Sequence, residues 1–363
     1  MIYVFSFYKN TKMKSLFPLL ILLVFLSACN TEYPPRDIDS ISIEKITIDS
    51  VSIRAIHAVD SNKMYYADSD GNVAYTKSAG KKWGKSSLLY INIEDSIKPN
   101  FRSIASNGAS VFALSIGNPA LLYKMDNNRK NAKVVYKEEH EKVFYDSMNF
   151  FNHYNGIAMG DPTEDCLSII ITNDGGYTWN KIPCEKLPKV ADGEAAFAAS
   201  NTNIKVLGKT VWIATGGTKA RVFKSTDFGE TWAVFETPII QGEGPQGIYS
   251  IDFADENNGI IIGGDYSKPE ENSKNKAITK DGGKTWTLVA DGQNPNYKSC
   301  VQYVPSSNGK EVFAVGKTGV SYSNDGGITW KEVSKEGYYT IQFVNRNTAW
   351  LSGNQKIGKL TLQ

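Results

Sequence analysis

The stretch Ser323-Asn324-Asp325-Gly326-Gly327-Ile328-Thr329-Trp330 decides how the rest of this 363-residue chain is read. The same phrase returns as Thr172-Asn-Asp174-Gly-Gly176-Tyr-Thr178-Trp179, Ser225-Thr-Asp227-Phe-Gly229-Glu-Thr231-Trp232 and Thr279-Lys-Asp281-Gly-Gly283-Lys-Thr285-Trp286. Two degraded copies lie upstream, Thr76-Lys-Ser78-Ala-Gly80-Lys-Lys82-Trp83 and Lys124-Met-Asp126-Asn-Asn128-Arg-Lys130-Asn131. The third position of each copy falls at 78, 126, 174, 227, 281 and 325, so successive steps are 48, 48, 53, 54 and 44 residues. A period in that range marks a stacked or radial array of one supersecondary unit. Within each copy, Gly takes positive φ freely and Asp accepts hydrogen bonds from nearby backbone N–H groups, which suits a tight turn between strands. The Thr-Trp pair then opens the next strand, with an indole large enough to pack on a neighbouring repeat.

These octets resemble the Asp-box, or BNR repeat, of sialidases, sortilin-type receptors and photosystem II assembly factors. In those families the box lies on the periphery of a β-propeller. The resemblance therefore gives Asp174, Trp179, Asp227, Trp232, Asp281, Trp286, Asp325 and Trp330 the role of turn and wedge, not of active site. Over residues 41–363 the chain resembles the photosystem II stability and assembly factor-like propellers, which are exported, non-catalytic proteins that hold membrane-protein partners.

Composition agrees with many short strands. Tyr and Phe supply 19 and 16 residues and Gly 31, and 363 residues is an ordinary length for one propeller. The net charge of +2, with Lys and Glu interspersed, carries no signature of nucleic-acid binding. Residues 1–29 are expected to be a targeting segment, with Met13 as a possible alternative start. Lys14 supplies the basic flank, and Leu16 to Leu26 is an apolar run too short to span a membrane comfortably. It ends in Leu26-Ser27-Ala28-Cys29, which resembles a bacterial lipobox with Cys29 as the lipidated residue. The reading is an exported lipoprotein, periplasmic or at the cell surface, that meets the membrane through Cys29; a plain secretory peptide is the alternative. Residues 30–40 read as a tether.

From residue 41 one grammar repeats. An inner strand comes first: Arg54-Ala-Ile56, Arg102-Ser-Ile104, Asp146-Ser-Met148, Ala195-Ala-Phe197, Tyr249-Ser-Ile251, Ser299-Cys-Val301 and Tyr339-Thr-Ile341. A Gly-rich apolar strand follows, such as Gly156-Ile-Ala-Met-Gly160, then a third strand into the box and a fourth out of it. Seven inner strands imply a seven-bladed, all-β propeller. The last repeat holds only three strands before Gln363, so the alternating Ile41 to Ile48 segment is expected to supply the fourth and close the ring, hiding its edges. A parallel β-helix is the other architecture considered, but its rungs are much shorter than this repeat. Cys300 sits in an apolar inner strand and reads as a buried thiol. Cys166 and Cys184 are equidistant from Gly175, so a symmetric hairpin would set them face to face. Export permits a disulfide there, and two unpaired thiols are the alternative.

In a propeller the starts of the inner strands ring one mouth of the central channel. The loops expected on that face are the long ones, Glu185 to Gly193, Thr237 to Gly247, Asp291 to Tyr297, Asp161 to Asp165 and Asp265 to Lys276, and long loops on a rigid scaffold are where binding usually sits. The ring residues are Arg54, Arg102, Tyr145, Asp146, Glu194, Tyr249, Lys298 and Tyr339, a set suited to a protein partner or a polar or anionic ligand. The expected function is a lipid-anchored binding or assembly scaffold with no cofactor. The alternative is a secreted carbohydrate-active hydrolase with Asp146 and Glu194 as an acid/base pair on adjacent blades. A sialidase would need an Arg triad, whereas only two Arg occupy ring positions, and the Arg-Ile-Pro phrase of that family is absent apart from the echo Phe101-Arg102-Ser103-Ile104. His57, His140 and His153 show no metal spacing, and Asp68-Ser-Asp70-Gly71-Asn72 is more simply a hairpin turn than a calcium loop.

Overall fold

A computed structural model describes Met1 and residues 33–88, 90–91, 96–126 and 132–363. Cys29, the apolar run before it and the end of the degraded copy at 124–131 lie outside the described residues.

Seven antiparallel sheets follow one another around a ring. Blade 1 is Ala55–Ala58, Met64–Ala67, Asn72–Thr76 and Trp83–Ser87; blade 2 is Asn100–Ser106, Ser110–Ile116, Ala120–Asp126 and Ala132–Glu138. Blade 3 is Tyr145–Phe150, Gly156–Gly160, Ser168–Thr172 and Asn180–Lys181. Blade 4 is Ile204–Leu207, Thr210–Ala214, Arg221–Ser225 and Ala233–Glu236. Blade 5 is Gln246–Phe253, Gly259–Asp265, Lys276–Thr279 and Thr287–Leu288, with the short pair Glu194–Ala195 and Gly216–Gly217 added at its inner edge. Blade 6 is Cys300–Tyr303, Val312–Gly316, Gly319–Ser323 and Lys331–Ser334. The chain is a seven-bladed, all-β propeller.

Blade 7 is closed by both ends of the domain. Thr340–Asn345 pairs with the first part of Thr348–Thr361, and Ile43–Ser52 pairs with its second part in the register Ile46↔Ile357 and Leu360↔Ile43. The long segment turns back near Gln355, whose φ is +56°, and the Leu362 N–H donates to the Asn347 carbonyl at 2.7 Å.

Each second strand is sandwiched between neighbouring blades, so it is buried on both faces and reads as a continuous apolar run. Gly156–Gly160, Gly259–Asp265 and Val312–Gly316 are buried at every position. Between blades 4 and 5, Trp212 stacks on Phe253 with ring centres 3.8 Å apart. Truncating either ring there would cost on the order of 3–5 kcal/mol.

The boxes are built alike. In the box of blade 3, Asp174 accepts from the N–H groups of Tyr177 (2.9 Å) and Thr178 (3.0 Å) and from the Thr178 hydroxyl (2.7 Å), while the Thr172 hydroxyl accepts from Gly176 N–H. Asp227, Asp281 and Asp325 repeat this pattern, and Ser78 takes part of it in the degraded first copy. Burial opposes ionisation of Asp174 and Asp281, but these donors outweigh it and hold both carboxyls down at about 2. The second glycine of each box lies against the preceding blade. A Cβ on Gly176 would strike Phe112, one on Gly283 would press on Trp212, and one on Gly327 would strike Ile260. In three boxes the Trp that follows anchors its own turn, Trp232, Trp286 and Trp330 donating to the carbonyls of Gly229, Gly283 and Gly327 at 2.9, 3.1 and 2.8 Å, while the buried Trp179 Nε1 has no partner among the described residues.

Three expectations need correcting. The inner strand of blade 4 is Ile204–Leu207, not the 195–197 stretch, because residues 196–203 are diverted across the channel. Residues 33–39 are docked, not a free tether. The Arg36 side chain and N–H both donate to the buried carboxylate of Glu311 in blade 6, and Arg346 of blade 7 donates to the Pro34 carbonyl. The two cysteines are bonded, with Cα atoms 5.7 Å apart, but not as a facing pair on two strands. The ladder runs Ile170↔Lys181, one residue out of the symmetric register, and Cys184 lies in the one-turn 3-10 helix Cys184–Lys186.

Candidate functional site

At the long-loop face the ring surrounds a cavity of about 510 Å³. Arg54, Arg102, Tyr249 and Tyr339 line it, together with Asp161, Phe197, Tyr266, Tyr297 and Lys317. Four of the five long loops bring a wall residue, Asp161, Gly244, Tyr266 and Tyr297, and the Glu185 to Gly193 loop brings none.

The inner strands aim these side chains through a shared irregularity. The blade 2 ladder slips between Phe101 and Ser103, the blade 3 ladder between Tyr145 and Ser147, and the blade 5 ladder between Ile248 and Ser250. Arg102, Asp146 and Tyr249 are therefore the extra residues of three equivalent bulges, and a bulge re-aims the side chain it carries. Arg54 and Tyr339 sit just before their strands, and the Arg54 guanidinium lies 4.0 Å from the centre of the Tyr339 ring. Such stacking is favourable for a cation over an aromatic face.

Neither arginine has a carboxylate partner among the described residues. Arg54 donates from Nη1 to the Ala199 carbonyl (3.2 Å), and Arg102 from Nη1 to the Ala198 carbonyl (3.1 Å). Both Nε atoms are buried and without a partner among the described residues. Burial and the nearby Arg54 charge bring the Arg102 guanidinium down to about 10, against the opposing pull of Tyr339 and Asp146.

Below Arg102 lies Asp146, with no exposed surface and no hydrogen bond to either oxygen among the described residues. Burial and the Asp161 carboxylate push its carboxyl well above the usual range, with Arg102 opposing. Asp161, at the cavity wall, accepts from Ala196 N–H at 2.8 Å; burial nevertheless raises it to about 6.

The other expected ring residues are elsewhere. Tyr145 turns between blades 2 and 3, where its hydroxyl donates to Glu138 at 2.7 Å. Glu194 is fully enclosed and accepts from Arg221 Nε (3.0 Å) and Nη2, from the Thr215 hydroxyl (2.7 Å) and from Ala191 N–H (2.9 Å). An acid/base pair of Asp146 and Glu194 is therefore not assembled: one has no access and the other is spent on Arg221. Lys298 is buried, donates to Asn296 (2.9 Å) and Thr318 (2.7 Å), and is lowered by burial to about 8.

Asp161, Phe197, Tyr266, Tyr297 and Lys317 were missed because they lie on loops, where no period marks orientation. Phe197 stacks on Tyr249 at 3.9 Å, and Tyr297 meets the same ring edge-on at 4.9 Å. Halfway down the axis, polar side chains join the blades. Asn201 accepts from Met148 N–H and the Ser103 hydroxyl and donates to the Ile104 carbonyl, and the Thr202 and Ser250 hydroxyls meet at 2.7 Å. Beyond them is a smaller cavity of about 220 Å³ near His57, Lys205 and Asp252. Among the described residues no three His, Cys, Asp or Glu side chains are grouped to hold a metal ion. The Asp68 turn folds on itself, with Asp68 accepting from Asp70 and Asn72 N–H.

The family model for the BNR/Asp-box repeat matches residues 321–332. No curated protein matches the sequence. Among solved structures, YCF48 bound to D1 peptide is similar with a TM-score of 0.64 and 13% identity, covering 90% of this chain and 100% of that one. YCF48 from Cyanidioschyzon merolae gives 0.63 and 15%, covering 88% and 99%. U3-55K gives 0.64 and 12%, covering 90% and 100%. At such identities the likeness is one of fold, the β-propeller.

Proposed function

We propose that this protein is a non-catalytic binding or assembly propeller that holds a segment of a protein partner at the long-loop mouth. The observation that carries the reading is the pair Arg54 and Arg102: two half-buried guanidiniums facing a cavity of about 510 Å³ with no carboxylate partner among the described residues. Guanidiniums in that setting are complementary to a carboxylate or phosphate, which they can grip with bidentate geometry. Aromatic walls from Tyr249, Tyr266 and Tyr297 add apolar area for the rest of the segment. The peptide in the YCF48 structure is support from a shared fold, since it concerns that protein. We further propose that the chain is exported and anchored in the membrane through lipidated Cys29, so that the partner is met at a membrane surface.

A photo-crosslinking residue in place of Tyr266, at the rim of the mouth, tests this in membranes of the producing cell. A specific protein adduct is expected there and not from the same residue at Tyr177 on the box side. The adduct should disappear in Arg54→Ala/Arg102→Ala. Equal adducts from both positions, or one indifferent to the double substitution, would defeat the mouth as the site. Cys29→Ser should release the protein from the membrane fraction; retention would defeat the anchor.

A further inference from the structure

The mouth is not vacant. After the short strand Glu194–Ala195, the chain turns through Ala196, Phe197, Ala198 and Ala199 over the channel and then descends to Ile204–Leu207. Four separate attachments hold that turn. Asp161 accepts its first N–H, from Ala196; Arg102 and Arg54 donate to its last two carbonyls, of Ala198 and Ala199; and Phe197 stacks on Tyr249. A further bond inside the turn runs from Ala199 N–H to the Phe197 carbonyl at 2.7 Å.

We propose that this turn is an internal occupant of the binding mouth, displaced when a carboxylate enters, and that the charge on Asp161 sets how firmly it is held. The proposal rests on the reading of the mouth as a binding site and adds what it binds and what competes. The reasoning is one of relative strength. A guanidinium bond to a neutral carbonyl is charge-assisted through the donor alone, whereas one to a carboxylate joins two opposite charges and can be bidentate. The arginines thus hold uncharged acceptors while each keeps an unpartnered Nε among the described residues, so an incoming carboxylate gives them a charged acceptor and meets a second donor on each. Displacement costs the turn its hold on Asp161 and the Phe197 stack, so the neutral carbonyls lose only to a charged competitor.

Asp161 opposes entry in two ways with the same sign. Its negative charge faces the cavity that the carboxylate must enter, and it anchors the N–H of Ala196. The groups around it are Asp146 beneath, Arg102 beyond Asp146, Arg54, Tyr249, Tyr266, Tyr297, Lys317 and Tyr339 around the cavity, and Lys142, Glu164, Asp165, Asp192 and Glu194 in the adjoining cleft. Burial and the Asp161 charge push the Asp146 carboxyl toward its neutral form against the pull of Arg102, so Asp161 is the acid whose charge faces the cavity. Protonation of Asp161 near pH 6 therefore raises the positive charge of the mouth and loosens the turn together.

The test uses three short peptides on the purified, folded protein: N-acetyl-trialanine with a free C-terminus, its C-terminal amide, and a doubly capped peptide with one internal Asp. Calorimetric titration at about pH 5 and about pH 7.5 should show the carboxylate-bearing peptides binding roughly tenfold tighter at the lower pH, and the amide not binding. The comparison of terminal with side-chain carboxylate identifies which source fits. Asp161→Asn should bind at the higher pH as wild type does at the lower, with a flat pH profile. Phe197→Ala, which loosens the turn without touching a charge, should tighten binding at both values. Arg-dependent binding with the same affinity at both pH values in wild type would overturn the role of Asp161 and leave the mouth as a site. Equal binding of the acid and amide peptides would overturn displacement by a carboxylate. Absence of binding by all three, with the Tyr266 crosslink intact, would overturn the ligand class alone; loss of the crosslink as well would remove the site.

Discussion

Glu194→Gln separates a structural carboxylate from a catalytic one. The Glu194 side chain has no exposed surface and accepts four donors, two from Arg221 and one each from Thr215 and Ala191. Glutamine keeps the shape and one acceptor oxygen, but it turns an NH₂ group toward a guanidinium that can only donate. Removing one partner of a buried ion pair costs about 3–5 kcal/mol. The Arg221 side chain remains 16% exposed, and water there offsets part of the loss, which leaves about 2–4 kcal/mol. For a domain of this size that is a fall in Tm of roughly 4–8 °C. Thermal melts followed by circular dichroism should show it, and Arg221→Met should show a similar loss by leaving Glu194 unpaired. The double variant Glu194→Gln/Arg221→Met should lose less than the sum, with a coupling of about 1–3 kcal/mol. Peptide binding at the mouth should be unchanged in all three when compared per folded molecule. A Glu194→Gln melt within about 1 °C of wild type would refute the structural reading of this pair.

Two further outcomes follow from the frame of the molecule. Arg36→Ala strips the Glu311 carboxylate of two guanidinium bonds and leaves Arg346 at 3.6 Å, so stability should fall by about 2 kcal/mol, and limited proteolysis should then cut first near residues 33–40. An unchanged cleavage pattern would show that the docked segment does not depend on this pair. Asp281→Ala should cost about 1–2 kcal/mol near neutral pH by removing the turn's acceptor. The folded-state carboxyl, at about 2, lies below its unfolded value, so its contribution is complete above about pH 4 and is lost as pH falls through 2. The gap in Tm between wild type and variant should close over that window; a gap constant down to about pH 2 would deny the box hydrogen bonds their role.

The repeat made the architecture legible because blade geometry is periodic. Each octet needs the same turn, each second strand the same double burial, and so seven inner strands could be counted from the residues alone. Orientation at the mouth is not periodic. Arg102, Asp146 and Tyr249 occupy equivalent bulges, yet Asp146 ends beneath the cavity while the other two face it, because neighbouring loops differ from blade to blade. Glu194 and Arg221 lie 27 residues apart, and nothing in spacing announces that they meet. The diversion of residues 196–203 was hidden for a related reason. Ala-Ala-Phe-Ala-Ala has the apolar content of an inner strand, but its attachments are to Asp161, Arg54, Arg102 and Tyr249, which no spacing announces.

The arginines themselves give the strongest internal comparison. Where this fold uses an arginine for stability, it supplies a buried carboxylate: Glu311 for Arg36 and Arg346, Glu194 for Arg221. Those sites close the ring at blades 6 and 7 and tie the 194–195 strand to blade 4. Arg54 and Arg102 stand apart from that pattern. They receive neutral carbonyls, leave Nε atoms without partners among the described residues, and lie close enough for the charge of one to weaken that of the other. Two like charges held together at a cavity are unfavourable on their own, and the buried acid nearest them, Asp146, is pushed toward its neutral form instead of serving as a counter-ion. A fold that gives Arg36, Arg346 and Arg221 buried carboxylates leaves Arg54 and Arg102 without an ion-pair partner among the described residues, and an anionic group entering from outside can become that partner.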